Sequence, residues 1–287
     1  MRRRTILSLT AWSVASAACG GEAKESEAAA ALGLAPAFEV VDRDTAQIRG
    51  GMPEGVKVLV KRMPGDPLGA RLELQTAIKA ARDNVDTLRV AKSTFFSFAD
   101  TSGVVLRSEI DPDRLVDQNI LSAFPALKAA LDPKSGLVEA YGPMEVLRGV
   151  KRGDDTAWVV AHPVVDGEGK TKGLFLTGWS FRLYARVVQD AVRAKYTELA
   201  KDKDNKKTPL VYAYFAKGLG SDAKAYGEPE APDSLADHVA KLDVVKASAS
   251  ADFVTSADVD GRVFGIAARK APALGDDAAI VIVASVY

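Results

Sequence analysis

One cysteine in 287 residues removes a whole class of folds. No intrachain disulfide can form, so a hydrophobic core must hold the chain. Apolar residues make up 47% of the sequence, enough for such a core, and the length suits one large or two modest domains. The position of that cysteine, Cys19, carries a second message. Residues 1–18 begin with Arg2, Arg3 and Arg4, continue through a short apolar stretch from Thr5 to Val14, and end in Ala15-Ser16-Ala17-Ala18. A basic start, an apolar middle and small residues at the exit are the three parts of a bacterial export signal. The apolar stretch falls short of the ~20 residues that a spanning helix needs.

Ser16-Ala17-Ala18-Cys19 resembles the lipobox of bacterial lipoproteins, departing from it at Ser16, where the motif carries Leu. The resemblance implies a signal peptide over 1–18 and a lipid anchor, palmitate included, on Cys19. Ala15-Ser16-Ala17 also fits the small-x-small site of ordinary signal peptidase, which would release a soluble secreted protein. Both processing routes stay open, and both place the chain in the cell envelope or beyond it. Gly20 stands where retained inner-membrane lipoproteins carry Asp, which points to the outer membrane, facing the periplasm.

Charge narrows the partners. Lysine plus arginine and aspartate plus glutamate balance at 38 each. Without the three arginines of the leader the remainder is slightly acidic, and nucleic acid, which demands a basic face, is not an expected partner. Catalytic machinery is not legible. Two histidines, His162 and His238, stand apart, and Gly178-Trp179-Ser180 lacks the closing glycine of a nucleophile elbow. Asp258-Val259-Asp260-Gly261 lacks the terminal glutamate of a calcium loop and reads better as a hairpin turn. No metal cluster, phosphate loop or dinucleotide fingerprint occurs. The expectation is a protein that is not an enzyme, with no catalytic residue, no metal and no cofactor.

The hydropathy pattern divides the chain. Gly20 to Ala37 reads as a tether, or as a frayed helix because of its alanines. Pro53, Pro64 and Pro67 break residues 38–67 into short pieces. Leu68, Leu72, Ile78, Ala81, Val85 and Leu88 then mark a helix over about 68–92. Period-2 segments follow: Phe95–Ala99, the turn Asp100-Thr101-Ser102-Gly103, and Val104–Arg107. A helical piece near Phe124–Leu131 precedes strands at Gly136–Tyr141, Met144–Val150, Ala157–Val164 and Gly173–Phe181. A second helix runs from Phe181 to about Lys201, and Lys201–Lys207 is a charged linker. Beyond it lie a strand at Val211–Phe215, a helix at Ser234–Leu242 with Ser234 as N-cap, and strands at Asp252–Ala257, Arg262–Ala268 and Ala278–Tyr287. Trp158–Phe181 aligns without a gap with Phe264–Tyr287, an internal repeat of pattern more than of letters.

The segment Phe95-Phe96-Ser97-Phe98-Ala99-Asp100-Thr101-Ser102-Gly103-Val104-Val105-Leu106-Arg107 resembles the opening of extracytoplasmic PAS-like sensor modules, the Cache domains. Ala161-His162-Pro163-Val164-Val165-Asp166 with Gly173-Leu174-Phe175-Leu176-Thr177-Gly178 is similar to their closing hairpin. The resemblance covers about 68–287 in the double form of the family, although the second opening hairpin, Tyr214–Tyr226, lacks a clean Asp-x-x-Gly. It implies an α+β fold of two PAS-like modules, each an antiparallel sheet with flanking helices, preceded by a long N-terminal helix. The expected parts are the signal peptide (1–18), a lipidated tether (19–37), an N-terminal helical segment (38–92), a first module (93–181), a connecting helix and linker (182–207) and a second module (208–287). Such modules sense small molecules, so a small-molecule ligand and an envelope partner that receives the signal are implied. The alternative is an assembly lipoprotein that only docks other envelope proteins. Strand alternation puts Trp158, Val160 and His162 on one face. Trp158 and Trp179 are candidates to stack on a ligand, His162 or Arg148 to anchor its carboxylate, and Tyr141 to line the rim. Each also has a plain reading: the tryptophans as core, His162 at an edge, Tyr141 at the rim, Arg148 as a surface charge.

Overall fold

The computed structural model describes residues 13–92, 95–143, 155–201 and 208–286, with side chains from residue 21 onward. The strand expected near Met144–Val150, candidate Arg148, most of the charged linker and the side chain of Cys19 lie outside the described residues. The fold is α+β: a long N-terminal helix and two five-stranded antiparallel sheets. Two compact units result. One comprises Glu39–Val187; the other joins the chain up to Phe38 with Val188 onward.

Helix α1 runs unbroken from Ser13 to Arg62. This corrects two expectations, the tether at 20–37 and the short pieces at 38–67. The reason is a buried stripe at spacings of three and four: Ala30, Leu34, Ala37, Val41, Ile48, Met52 and Leu59 are all fully buried. Each large member contributes roughly 1.5–3 kcal/mol. Five of them outweigh the ~3 kcal/mol that an interior proline costs, even twice over at Pro36 and Pro53. Glycines let the helix approach closely. A Cβ at Gly55 would come within 2.7 Å of Leu88 and 3.0 Å of Phe175. A Cβ on Gly265 of the second sheet would sit 2.1 Å from the Ser26 backbone.

The helix expected over 68–92 is two: α2 (Arg71–Asp83) and α3 (Asp86–Val90). Leu68 and Leu72, assigned to its apolar stripe, are 59% and 75% exposed. The stripe that does the packing is Leu74, Ala77, Ile78 and Ala81, with Leu88 on α3.

In Glu39–Val187 the strands β1 (Phe95–Asp100), β2 (Val105–Ser108), β3 (Val138–Pro143), β4 (Thr156–Val165) and β5 (Thr171–Ser180) assemble in the order β2-β1-β5-β4-β3. The β1–β2 turn follows the sequence logic. Asp100 Oδ1 accepts from Ser102 N at 2.9 Å, Ser102 Oγ at 2.7 Å and Val104 N at 3.0 Å, while Gly103 takes φ +87°. Between β2 and β3 lie α4 (Ile120–Ala123) and a 3-10 stretch (Pro125–Leu131). They close one sheet face over Phe95, Val105, Leu115, Phe124, Leu127, Val159 and Leu176.

Helix α5 (Phe181–Lys201) starts at Ser180, whose Oγ accepts from Leu183 N at 3.2 Å. In the second unit β6 (Leu210–Lys217), β7 (Lys224–Gly227), β8 (Phe253–Val259), β9 (Arg262–Lys270) and β10 (Ala278–Ser285) repeat the order as β7-β6-β10-β9-β8. Helices α6 (Asp233–Lys241) and α7 (Val244–Ala247) occupy the same place in the chain, between second and third strands. Ser234, expected as the N-cap of α6, lies inside it, and its hydroxyl donates to Asp260 Oδ2 at 2.7 Å instead.

The internal repeat is real, with one correction. Shifting the pair Trp158–Trp179 by 106 residues gives Phe264–Ser285, the next rung of the ladder that pairs Gly265 with Ala284. The hairpin register is therefore reproduced. The faces are not. Phe264, Ile266 and Ala268 pack under α6 and α7, whereas in the first sheet Ala157, Val159 and Ala161 pack under α4. An ungapped alignment is one residue out of phase, and with a period of two that exchanges the faces.

Candidate functional site

Register puts three of the sequence candidates in one row. Tyr141 of β3 pairs with Trp158 of β4, and Trp158 pairs with Trp179 of β5. Cross-strand partners share a face, so all three project on the side opposite the α4 core. Trp158 and Trp179 are fully buried, their ring centroids 4.3 Å apart. Tyr184, from the first turn of α5, stacks on Trp179 at 4.0 Å and 13°. The rings are thus one another's partners, as in a core. Tyr141 touches the edge of Phe181 at 6.3 Å.

Helix α1 adds charge to this stack. The Arg49 guanidinium lies 5.6 Å over the Trp158 ring and donates to both oxygens of Glu139, at 2.6 and 2.8 Å. Trp158 Nε1 donates to Glu139 Oε2 at 2.7 Å. The paired carboxylate, chiefly through that hydrogen bond, raises the Arg49 pKa against a smaller desolvation. Five residues earlier, Asp44 is fully buried and accepts from Tyr184 Oη at 2.7 Å and from Arg43 Nε at 2.9 Å. Burial and then the Asp44 charge push the Tyr184 phenol far above its ordinary range, so it stays a donor. Trp179 Nε1 is buried without a partner among the described residues.

His162 lies on the same strand face as Trp158 but four residues along, opposite Phe175. It is half-buried, with Nδ1 2.9 Å from the carbonyl of Pro163. The structure therefore brings Tyr141, Trp158 and Trp179 together and leaves His162 apart. Sequence reasoning missed Asp44, Arg49, Glu139 and Tyr184. The first two lie on the stretch read as broken by Pro53, and nothing in the spacing ties them to β3 or α5. Among the described residues no group of three His, Cys, Asp or Glu side chains is placed to hold a metal. No helix among them is long and apolar enough to cross a membrane.

The opposite face of the first sheet is closed by apolar side chains from β1, β4, β5, α4 and the 3-10 stretch. One polar atom there stands out. Ser97 Oγ, fully buried on β1, has no partner among the described residues. Its cross-strand neighbour Ser108 donates to Asp113 Oδ1 at 2.5 Å.

No family model matches the chain, and no curated protein matches it in sequence. Among solved structures it is similar to a domain of a protein assigned to the sensory box/GGDEF family of Vibrio parahaemolyticus, at 11% identity and a TM-score of 0.53. That match spans 93% of this chain and 97% of that one. It shows a shared fold, two five-stranded antiparallel sheets behind a long N-terminal helix. The ligand-binding domain of the Pseudomonas aeruginosa amino acid chemoreceptor PctB, in complex with L-Arg, superposes at 0.47, with 16% identity over 89% of this chain and 92% of its own. The sensor domain of the Vibrio cholerae histidine kinase DctB superposes at 0.43, with 11% identity over 86% and 95%. Scores this low add no detail to the shared fold.

Proposed function

We propose that the chain is a cell-envelope sensor module, anchored by a lipid on Cys19, that binds a small molecule in its first PAS-like unit and reports to a partner protein. The observation that carries this reading is the doubled architecture. Two sheets have the same strand order, and each is closed by helices inserted between its second and third strands. A guest would lodge between one sheet face and those inserted helices, while helix α1 takes the other face. The guest face is the one bounded by Phe95, Phe124 and Leu127, with the Ser97 hydroxyl as its free polar group. The Trp158–Trp179–Tyr184 stack then serves as the ridge that couples the sheet to α1 and α5 within the unit.

The test is a thermal-shift screen against amino acids, organic acids and purines, followed by Phe124→Trp, which fills the guest face. A shift seen with the parent chain and lost in the variant supports the reading, and no shift with any class defeats it. The anchor is tested separately. Mass spectrometry of the envelope-extracted protein should find an amino-terminal, diacylglyceryl-modified Cys19, and an unmodified terminus refutes it. A second reading, a docking lipoprotein without a small-molecule ligand, draws on the closed apolar packing of that same face and predicts no shift at all.

A further inference from the structure

The four outer strands of the two sheets are unequal. β2 and β7 have four residues each, and β3 ends in Pro143. Short strands and proline are the usual protection of an exposed edge. β8 has neither. It is seven residues long, Phe253-Val254-Thr255-Ser256-Ala257-Asp258-Val259, without proline, lysine or arginine.

The β8–β9 turn fixes which backbone groups face outward. Val259 pairs with Arg262 across the two-residue loop Asp260-Gly261, with φ +54° and +79°, the geometry of a type I′ hairpin. The residues that flank such a loop bond to each other, and alternate pairs up the ladder do the same. Val259, Ala257, Thr255 and Phe253 therefore spend their N–H and C=O on β9. Val254, Ser256 and Asp258 turn theirs away from the sheet. No hydrogen bond among the described residues uses those outward groups. Val254 is 42% exposed, and Asp258 is exposed.

Charge selects the occupant. At the turn end, Asp258 and Asp260 stand close together, and Asp252 flanks the other end, held by Arg269 at 2.7 Å. A second copy pairing antiparallel about Ser256 would set Asp252 against Asp260 of its mate, a repulsive match. An extended segment with basic ends meets no such penalty and gains attraction.

We propose that β8 is a docking edge for an extended segment of a partner protein, added as a sixth antiparallel or parallel strand and carrying lysine or arginine where it meets Asp258. This deepens the partner-reporting half of the proposed function and rests on that half alone. Neither the lipid anchor nor the small-molecule seat enters it.

The test uses the chain from Cys19 onward and a blocked seven-residue probe, Lys-Thr-Val-Thr-Val-Thr-Lys, with a Glu-ended twin. Calorimetry should show the Lys-ended probe binding at least about tenfold tighter than the twin at low salt. Hydrogen exchange of the Val254, Ser256 and Asp258 amides should slow on binding. Val254→Pro, which deletes one outward donor, should weaken the probe about tenfold. If that variant fails to fold, Asp258→Asn keeps the backbone intact, removes the charge that the lysine meets and should shrink the preference between the two probes. The proposal is overturned if neither probe slows those amides, if the twins bind alike, or if the free protein sediments as a dimer that already protects them. A failed small-molecule screen leaves this result untouched.

Discussion

Gly265→Ala isolates the contact between helix α1 and the second sheet. The new Cβ would sit 2.1 Å from both the carbonyl carbon and oxygen of Ser26 and 2.3 Å from Glu27 N. All three are backbone atoms of α1, so no rotamer change relieves the clash. The helix must retreat by about 1 Å or more to restore ordinary contact, and overpacking of this kind costs about 1–3 kcal/mol. The retreat also strains two bonds that tie the same turn down: Ser256 Oγ to Glu27 Oε1 at 2.6 Å and Val286 N to Ser26 Oγ at 3.4 Å. At about 1 kcal/mol each, the total reaches roughly 3–5 kcal/mol. For a unit of this size that corresponds to a melting temperature lower by about 10 °C. Calorimetry reads the drop, and hydrogen exchange should show residues 21–37 loosening first. Gly50→Ala is the matched control. Gly50 lies in the same helix with nothing within 4 Å of its would-be Cβ. Alanine there should raise stability by up to about 1 kcal/mol. A Gly265→Ala variant that melts within 3 °C of the parent, with unchanged exchange at 21–37, refutes the claim that this glycine is required for close approach.

Three further outcomes are expected. Burial raises the pKa of Glu109 despite its 3.0 Å pair with Arg82, so the folded state holds that proton more tightly than the unfolded state does. Its stability contribution is full below the ordinary glutamate value of 4.5 and is lost as pH rises through the elevated folded value. Glu109→Gln should therefore flatten the stability-versus-pH curve above pH 4.5, read by urea unfolding at several pH values; an unchanged slope counts against it. Tyr184→Phe keeps the stack on Trp179 but removes the phenol donor from buried Asp44, at a cost of about 1–3 kcal/mol by urea unfolding, and no loss would show that Arg43 alone satisfies the carboxylate. Arg49→Met retains apolar cover over Trp158 while freeing Glu139, and should shift tryptophan emission without unfolding the unit; identical spectra would show that the guanidinium does not sit on the ring.

The strands were legible because they are short apolar runs bounded by turn residues, even where both faces are buried. Asp100-Thr101-Ser102-Gly103 predicts its own geometry, and the turn at Asp260-Gly261 does the same. Helix α1 was not, although its stripe from Leu34 to Leu59 is present in the letters. Its buried face mixes alanine and glycine with larger residues, and two prolines outvote it locally, while the energy that overrules them comes from sheets far along the chain. Leu68 and Leu72 erred in the opposite direction. Their spacing is helical, but the stripe that meets the sheet is Leu74, Ala77, Ile78 and Ala81.

The aromatic candidates show where such reading stops. Alternation places Trp158 and His162 on one face, but the row of Tyr141, Trp158 and Trp179 comes from the register of the ladder, which alternation within a strand does not give. Alternation does not say which face a helix will take. In the first sheet, Trp158 meets α1 through Arg49, while its neighbours Ala157 and Val159 line the face beneath α4. In the repeat, the residue that aligns with Trp158 by letter, Phe264, lies beneath α6 and α7. A one-residue phase error is invisible to a comparison of hydropathy because both faces of these central strands are buried and apolar. Only groups that demand a particular partner break the symmetry. Glu139 demands Arg49 and the Trp158 indole, while Gly265 demands the backbone of Ser26. In a sheet covered on both sides, function is therefore better sought at the polar exceptions and at the glycines than among the largest aromatic rings.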